Sequence, residues 1–181
     1  IRGWLTAINE TDNLKTDLGL TDLFAFKINY DKTQTGISDV KALYNGNIAE
    51  TFWRTDSDNT ERAYGYQYDN LNRLKNAIYE KSGLTTNSYD ESLTYDKNGN
   101  IKFLSRFGDM DPQIGTNIID NLVYGYKDNT NQLLKVDDNA NNTSGFDDFN
   151  TTGDDYSYDD NGNMISDKNK KITNITYNHL N

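Results

Sequence analysis

Apolar and polar residues alternate along much of this chain in short runs. Phe24, Phe26, Ile28 and Tyr30 make one such run, and Tyr64, Tyr66 and Tyr68 another. Leu122, Tyr124 and Tyr126 follow the same rule, as do Tyr156 and Tyr158. A period of two places these residues on one face of an extended strand. Each run breaks at a polar stretch, after which the chain resumes with Leu74, Ile101, Leu133 or Met164. Asn98-Gly99 and Asn161-Gly162 are the clearest turns, because Asn-Gly suits the positive φ of a tight two-residue hairpin. The pattern therefore predicts a series of hairpins. A lone hairpin is marginal in water, so the hairpins must pair side by side into an extended antiparallel array. This is an all-β chain with more than about 40% strand, against the ~20–25% of an average domain.

The same unit is written several times. "YQYDNLNRL" (66–74), "LTYDKNGNI" (93–101), "YGYKDNTNQL" (124–133) and "YSYDDNGNM" (156–164) align on tyrosine, with looser versions in "INYDKTQTGI" (28–37) and "YNGNI" (44–48). The clearer members recur irregularly, at roughly 19 to 32 residues, a range typical of repeat architectures. Aligned registers would bring Tyr66, Tyr68, Tyr95, Tyr126 and Tyr158 into a lateral row, where aromatic cross-strand pairs contribute up to ~1 kcal/mol each. "IRGWL" at the start reads as the back half of a unit, and "ITYNHLN" at the end as the front half. Residues 1–181 are thus expected to be a single segment cut inside a repeat at both ends, with open strand edges that neighbouring repeats would cover. The connections 83–88, 108–117 and 137–155 are polar. The last has no period and reads as a mobile surface loop, in which Phe146 and Phe149 are small local anchors or, alternatively, a binding tip.

These units resemble the YD repeats of RHS-repeat proteins over nearly the whole chain. The family pattern is Tyr-Asp, a short turn holding Gly or Asn, then an aliphatic residue. It is met at Tyr68-Asp69 with Leu74, at Tyr95-Asp96 with Gly99 and Ile101, and at Tyr158-Asp159 with Gly162 and Met164. Tyr30-Asp31, Tyr44-Asn45, Tyr126-Lys127 and Tyr177-Asn178 depart in the second residue or in turn length. The resemblance implies a β-strip that spirals into a hollow shell. Such shells form the cocoon of bacterial polymorphic toxins and insecticidal toxin complexes, and related ones occur in teneurin-type receptors. The expected role is wall material of a secreted or cell-surface bacterial protein. Its implied partners are the remaining repeats, an enclosed C-terminal toxin or effector domain, and bacterial export machinery. The alternative is a surface adhesion module that recognises a glycan or protein receptor.

Charge narrows the partners. The chain carries 28 acidic against 18 basic residues, for a net charge of −10. No Lys/Arg cluster offers a footprint for nucleic-acid phosphates, and no polybasic segment suits an anionic membrane. Only 34% of the residues are hydrophobic, yet there are 13 Tyr, as befits half-buried pleated surfaces. With no Cys, disulfides and thiolate metal sites are excluded. No apolar run is long enough to span a bilayer.

Candidate chemistry is sparse, and no enzyme activity, metal or cofactor is expected. His179 is the only histidine, and no nucleophile motif accompanies it. The pairs Asp137-Asp138, Asp147-Asp148, Asp154-Asp155 and Asp159-Asp160 read as a solvated acidic face rather than a glycosidase pair or calcium site. "DKNGN" and "DDNGN" fail the EF-hand, since Thr94 and Ser157 fall where its first Asp belongs. Asp111-Pro112 lies mid-array and reads as an ordinary turn, although an Asp-Pro motif ends the shell in the RHS family.

Overall fold

The computed structural model describes residues 3–15, 19–108 and 117–178. Among these there is no helix, and therefore no helix long and apolar enough to cross a membrane. Twelve strands appear: β1 (Ala7–Ile8), β2 (Phe24–Asn29), β3 (Glu50–Thr55), β4 (Arg62–Tyr68), β5 (Leu74–Lys81), β6 (Leu84–Thr85), β7 (Glu91–Tyr95), β8 (Ile101–Phe107), β9 (Ile118–Tyr126), β10 (Leu133–Asp138), β11 (Tyr156–Tyr158) and β12 (Met164–Asp167). They hold a little under the expected ~40% of the described residues, because turns and connections take more of each repeat than a two-residue hairpin would. The described residues fall into two compact units, one ending at Glu91 and the other beginning at Ser92.

In the first unit the strand order is β1-β2-β3-β4-β5, with β6 folded back on β5. Every pair is antiparallel, as successive hairpins require. β2 and β3 run in unbroken register from Phe24↔Thr55 to Asn29↔Glu50. Ala25, Ala49, Ala63 and Ala77 are buried with Phe52 and Tyr79. Small side chains let loops lie close to the strands. At Gly65 a Cβ would come within 2.8 Å of Ile37 and Val40, so the long 31–43 connection packs where this residue has no side chain. Trp53, Tyr64, Tyr66, Tyr79 and Tyr89 form a chain of ring contacts with centroids 5.2–6.1 Å apart.

In the second unit β7, β8, β9 and β10 lie in sequence order, and β11 and β12 form a hairpin. Ile119, Leu122 and Val136 are its buried apolar residues. The β11–β12 hairpin is fastened to β10: Asp155 N–H donates to the Leu134 carbonyl (2.8 Å), and Val136 N–H donates to Asp155 Oδ2 (2.7 Å).

One register recurs between consecutive repeats. The residue two before the signature tyrosine donates its N–H to the carbonyl just after the preceding repeat's aliphatic residue. Ile28 does so to Thr6, Tyr66 to Ala49 and Ile175 to Ile165, each at 2.9 Å. The β8–β9 pairing Phe103↔Val123 continues to the equivalent alignment. A register is costly to slip, since one residue's shift reverses which side chains face the core.

Candidate functional site

The repeated feature is the Tyr-Asp turn, built from the backbone upward. At Asp96 the main chain closes twice: Asp96 N–H donates to the Asn100 carbonyl (2.9 Å), and Gly99 N–H donates to the Asp96 carbonyl (3.2 Å). The carboxylate then caps the turn from inside. Its Oδ1 accepts from the N–H groups of Asn98 (2.8 Å) and Asn100 (2.9 Å), and its Oδ2 accepts from Asn100 Nδ2 (2.8 Å). Asp159 repeats every contact with Asn161, Gly162 and Asn163. Asp69 does likewise with Leu71, Asn72 and Arg73, where Arg73 Nε replaces the amide at 2.7 Å. The third residue after each Asp takes positive φ: Asn72 at 62°, Gly99 at 93° and Gly162 at 87°.

This corrects the two-residue turn expected from Asn-Gly. A type I′ turn needs positive φ at both central residues. Here Asn98 and Asn161 are not among the positive-φ residues. The turn is instead a type I turn followed by a left-handed residue, and the hairpin register breaks beside the tyrosine. Tyr68 then faces Leu74, and Tyr158 faces Met164, across their own hairpins.

The carboxylates of these turns are held below their usual range. At Asp69 and Asp159 the main cause is the backbone donor four residues on, Arg73 or Asn163. At Asp96 partial desolvation pushes upward but is outweighed by the donors of Asn100, Asn98 and Gly99.

The tyrosines do something sequence reasoning missed. Five of them donate their hydroxyls to the carbonyl of the preceding repeat's closing aliphatic residue. Tyr30 reaches Leu5 (3.2 Å), Tyr68 reaches Ile48 (2.9 Å), Tyr126 reaches Ile101 (3.0 Å), Tyr158 reaches Leu133 (2.8 Å) and Tyr177 reaches Met164 (2.7 Å). Among the described residues, the lateral row expected of Tyr66, Tyr68, Tyr95, Tyr126 and Tyr158 is not seen as ring packing at Tyr68, Tyr126 or Tyr158; Tyr66 makes a ring contact, with Tyr64. The recurring action of Tyr30, Tyr68, Tyr126, Tyr158 and Tyr177 is a polar tie from one repeat to the one before. Tyr66 serves another purpose, sharing a 3.0 Å hydrogen bond with Thr51. Burial, above all, pushes the hydroxyls of Tyr68, Tyr126 and Tyr158 above the usual phenol range, so they stay protonated donors. Tyr95 closes β7 immediately before its turn.

Two signature residues fall outside this pattern. Asp31 is exposed and makes no turn contact among the described residues; the chain returns only at Leu43, whose N–H donates to the Tyr30 carbonyl (2.7 Å). Tyr44 is 82% exposed.

A second set of carboxylates was not legible at all. Glu50 is fully buried and accepts from Asn29 Nδ2, the N–H groups of Gln34 and Thr35, and Thr35 Oγ1 at 2.6–2.9 Å. Asp120, 1% exposed, accepts from Arg106 Nε and from Phe146 N–H, both at 2.6 Å. The expected solvated acidic face is split accordingly: Asp138 and Asp155 are buried, while Asp147 and Asp154 are exposed. Asp138 accepts from Asn121, Ala140 and Asn141, and its own N–H donates to Asp148. The 137–155 connection is thereby pinned at several points. A buried carboxylate is tolerated only when several donors converge on it.

A cleft of about 210 Å³ lies among Lys27, Phe52, Glu61, Arg62 and Glu80. Burial first, then the charges of Glu50 and Glu61, pushes Glu80 up. A more apolar cleft of about 440 Å³ is lined by Phe149, Ile172, Asn150, Ser166 and Lys171, with Lys171 Nζ 4.2 Å from the Phe149 ring centre. No group of three or more His, Cys, Asp or Glu suited to a metal ion occurs among the described residues. His179 and Asp111-Pro112 lie outside the described residues. No protein-family model matches the chain, and no curated protein matches it either.

Proposed function

We propose that this chain is wall material of an RHS-type shell in a secreted or cell-surface bacterial protein, carrying or enclosing a C-terminal toxin or effector domain. The observation that carries this reading is the recurring tie from Tyr30, Tyr68, Tyr126, Tyr158 and Tyr177 to the closing carbonyl of the repeat before. Among the described residues, five tyrosine hydroxyls tie consecutive repeats together in this way. Nearest-neighbour joining is the logic of a repeat array, whose stability is a sum of units and their interfaces. Electron microscopy of the full polypeptide that contains these repeats tests the proposal. A hollow particle with a protease-protected segment inside supports it. A rod or sheet with no interior, and no protected segment, overturns it.

A second reading, adhesion, is favoured by the cleft at Phe149. That ring is 57% exposed and borders Asn150, Ser166 and Thr173. Aromatic faces beside hydrogen-bonding groups suit saccharides. Glycan-array binding that Phe149→Ala abolishes would establish this reading; a blank array would remove it.

A further inference from the structure

The chain contains three Asn-Gly pairs: Asn45-Gly46, Asn98-Gly99 and Asn161-Gly162. In such a pair the glycine nitrogen gives up its proton and attacks the asparagine side-chain carbonyl carbon. A C–N bond closes a five-membered succinimide, and the side-chain nitrogen takes up a proton and leaves as ammonia. Water then opens the ring at either carbonyl, to aspartate or isoaspartate. Glycine makes this fast because no side chain hinders its nitrogen. The three pairs share this intrinsic reactivity, so the fold must discriminate between them.

It does so through the carboxamides. Asn45 is held at both ends, Nδ2 donating to Asn72 Oδ1 (2.8 Å) and Oδ1 accepting from Asn47 N–H (3.0 Å). Asn98 Nδ2 donates to Asn131 Oδ1 (3.1 Å). The Asn161 side chain is exposed and has no hydrogen bond among the described residues; only its backbone N–H is engaged, by Asp159 Oδ1 (2.9 Å). The glycines of the two matching turns are held alike, Gly99 to Asp96 at 3.2 Å and Gly162 to Asp159 at 3.0 Å. Around Gly99 and Gly162 alike, nothing lies within 4 Å of where a Cβ would sit. The difference between the turns is thus the freedom of the side chain to present its carbonyl carbon to the glycine nitrogen.

We infer that Asn161 is a site of spontaneous deamidation, with water as the only co-reactant, and that it converts ahead of Asn98 and Asn45. The consequence is local. Isoaspartate adds a methylene to the main chain between residue 161 and Gly162, which draws Gly162 N–H away from the Asp159 carbonyl. It also places a new carboxylate beside Asp159 and Asp160. The short β11–β12 hairpin loosens, and with it the tie from Tyr158 to Leu133.

The test is timed incubation of the 181-residue chain at neutral pH and physiological temperature, followed by peptide mapping with fragmentation that separates isoaspartate from aspartate. Asn161 is expected to convert about fivefold faster than the other two, equivalent to ~1 kcal/mol of tethering at 1.4 kcal/mol per tenfold. In denaturant the three rates should converge. Asn131→Ala frees the Asn98 carboxamide and should bring its rate up to that of Asn161. Conversion of Asn98 or Asn45 first, an unchanged ranking in denaturant, or an unmoved Asn98 rate in Asn131→Ala would each overturn the inference.

Discussion

A tyrosine hydroxyl on a carbonyl of the preceding repeat is a single hydrogen bond, yet the chain makes it at Tyr30, Tyr68, Tyr126, Tyr158 and Tyr177. Removing the donor alone leaves the Ile101 carbonyl partly buried without its partner. Tyr126→Phe is therefore expected to cost ~1 kcal/mol in chemical denaturation, the usual net worth of one hydrogen bond. Tyr44→Phe, at an 82% exposed ring, is expected to stay within ~0.5 kcal/mol of the parent. The tyrosines were legible as a repeat signature, but their partners were not. A carbonyl 25 residues away, as for Tyr126 and Ile101, can be named only once the inter-repeat register is known. Asp31 shows the opposite limit. The Tyr-Asp pair is present, but Gln34 stands where the working turns have Asn72, Gly99 or Gly162 at positive φ. Without a residue that accepts the left-handed conformation, the carboxylate has no turn to cap.

At the scale of the element, the hairpin turn depends on that left-handed position. Gly99→Ala forces a Cβ into φ 93° and should cost at least ~1 kcal/mol by thermal or chemical melting. The turn carboxylates also set a pH dependence. Asp69, Asp96 and Asp159 titrate below the usual range, as does Asp58, which the Arg62 guanidinium lowers to about 2. Their contribution is present above the unfolded carboxylate range and is lost as pH falls through the folded values. Glu80, Asp90 and Asp148 are raised, chiefly by burial, so their contribution is full at low pH and fades as pH rises through the folded values. The melting temperature should therefore rise on acidification from neutrality to about pH 5 and fall below about pH 3. A monotonic fall from neutrality would contradict this balance. The polar, aperiodic composition of the 137–155 connection predicts mobility. Nothing in its composition shows that Asp120 lies opposite Phe146 N–H, or Asp148 opposite Asp138 N–H. Hydrogen exchange should find the amides of Asp138 and Phe146 protected and those of Thr151 and Thr152 open.

For the whole molecule, the alternation of apolar residues was enough to indicate an all-β, antiparallel chain, because period two has one structural meaning. The buried acids escaped notice, because a lone Glu50 or Asp120 inside a strand looks like any outward-facing charge until its donors are in place. What unites the scales is linkage between consecutive repeats, which predicts that damage stays local. Hydrogen exchange followed by mass spectrometry on Tyr126→Phe tests this most directly. Protection should fall along Ile101–Phe107 and Ile118–Tyr126, while the Asp159–Asn163 turn and β12 keep theirs. Unchanged exchange around Ile101, or loss spread evenly through to β12, would contradict the account.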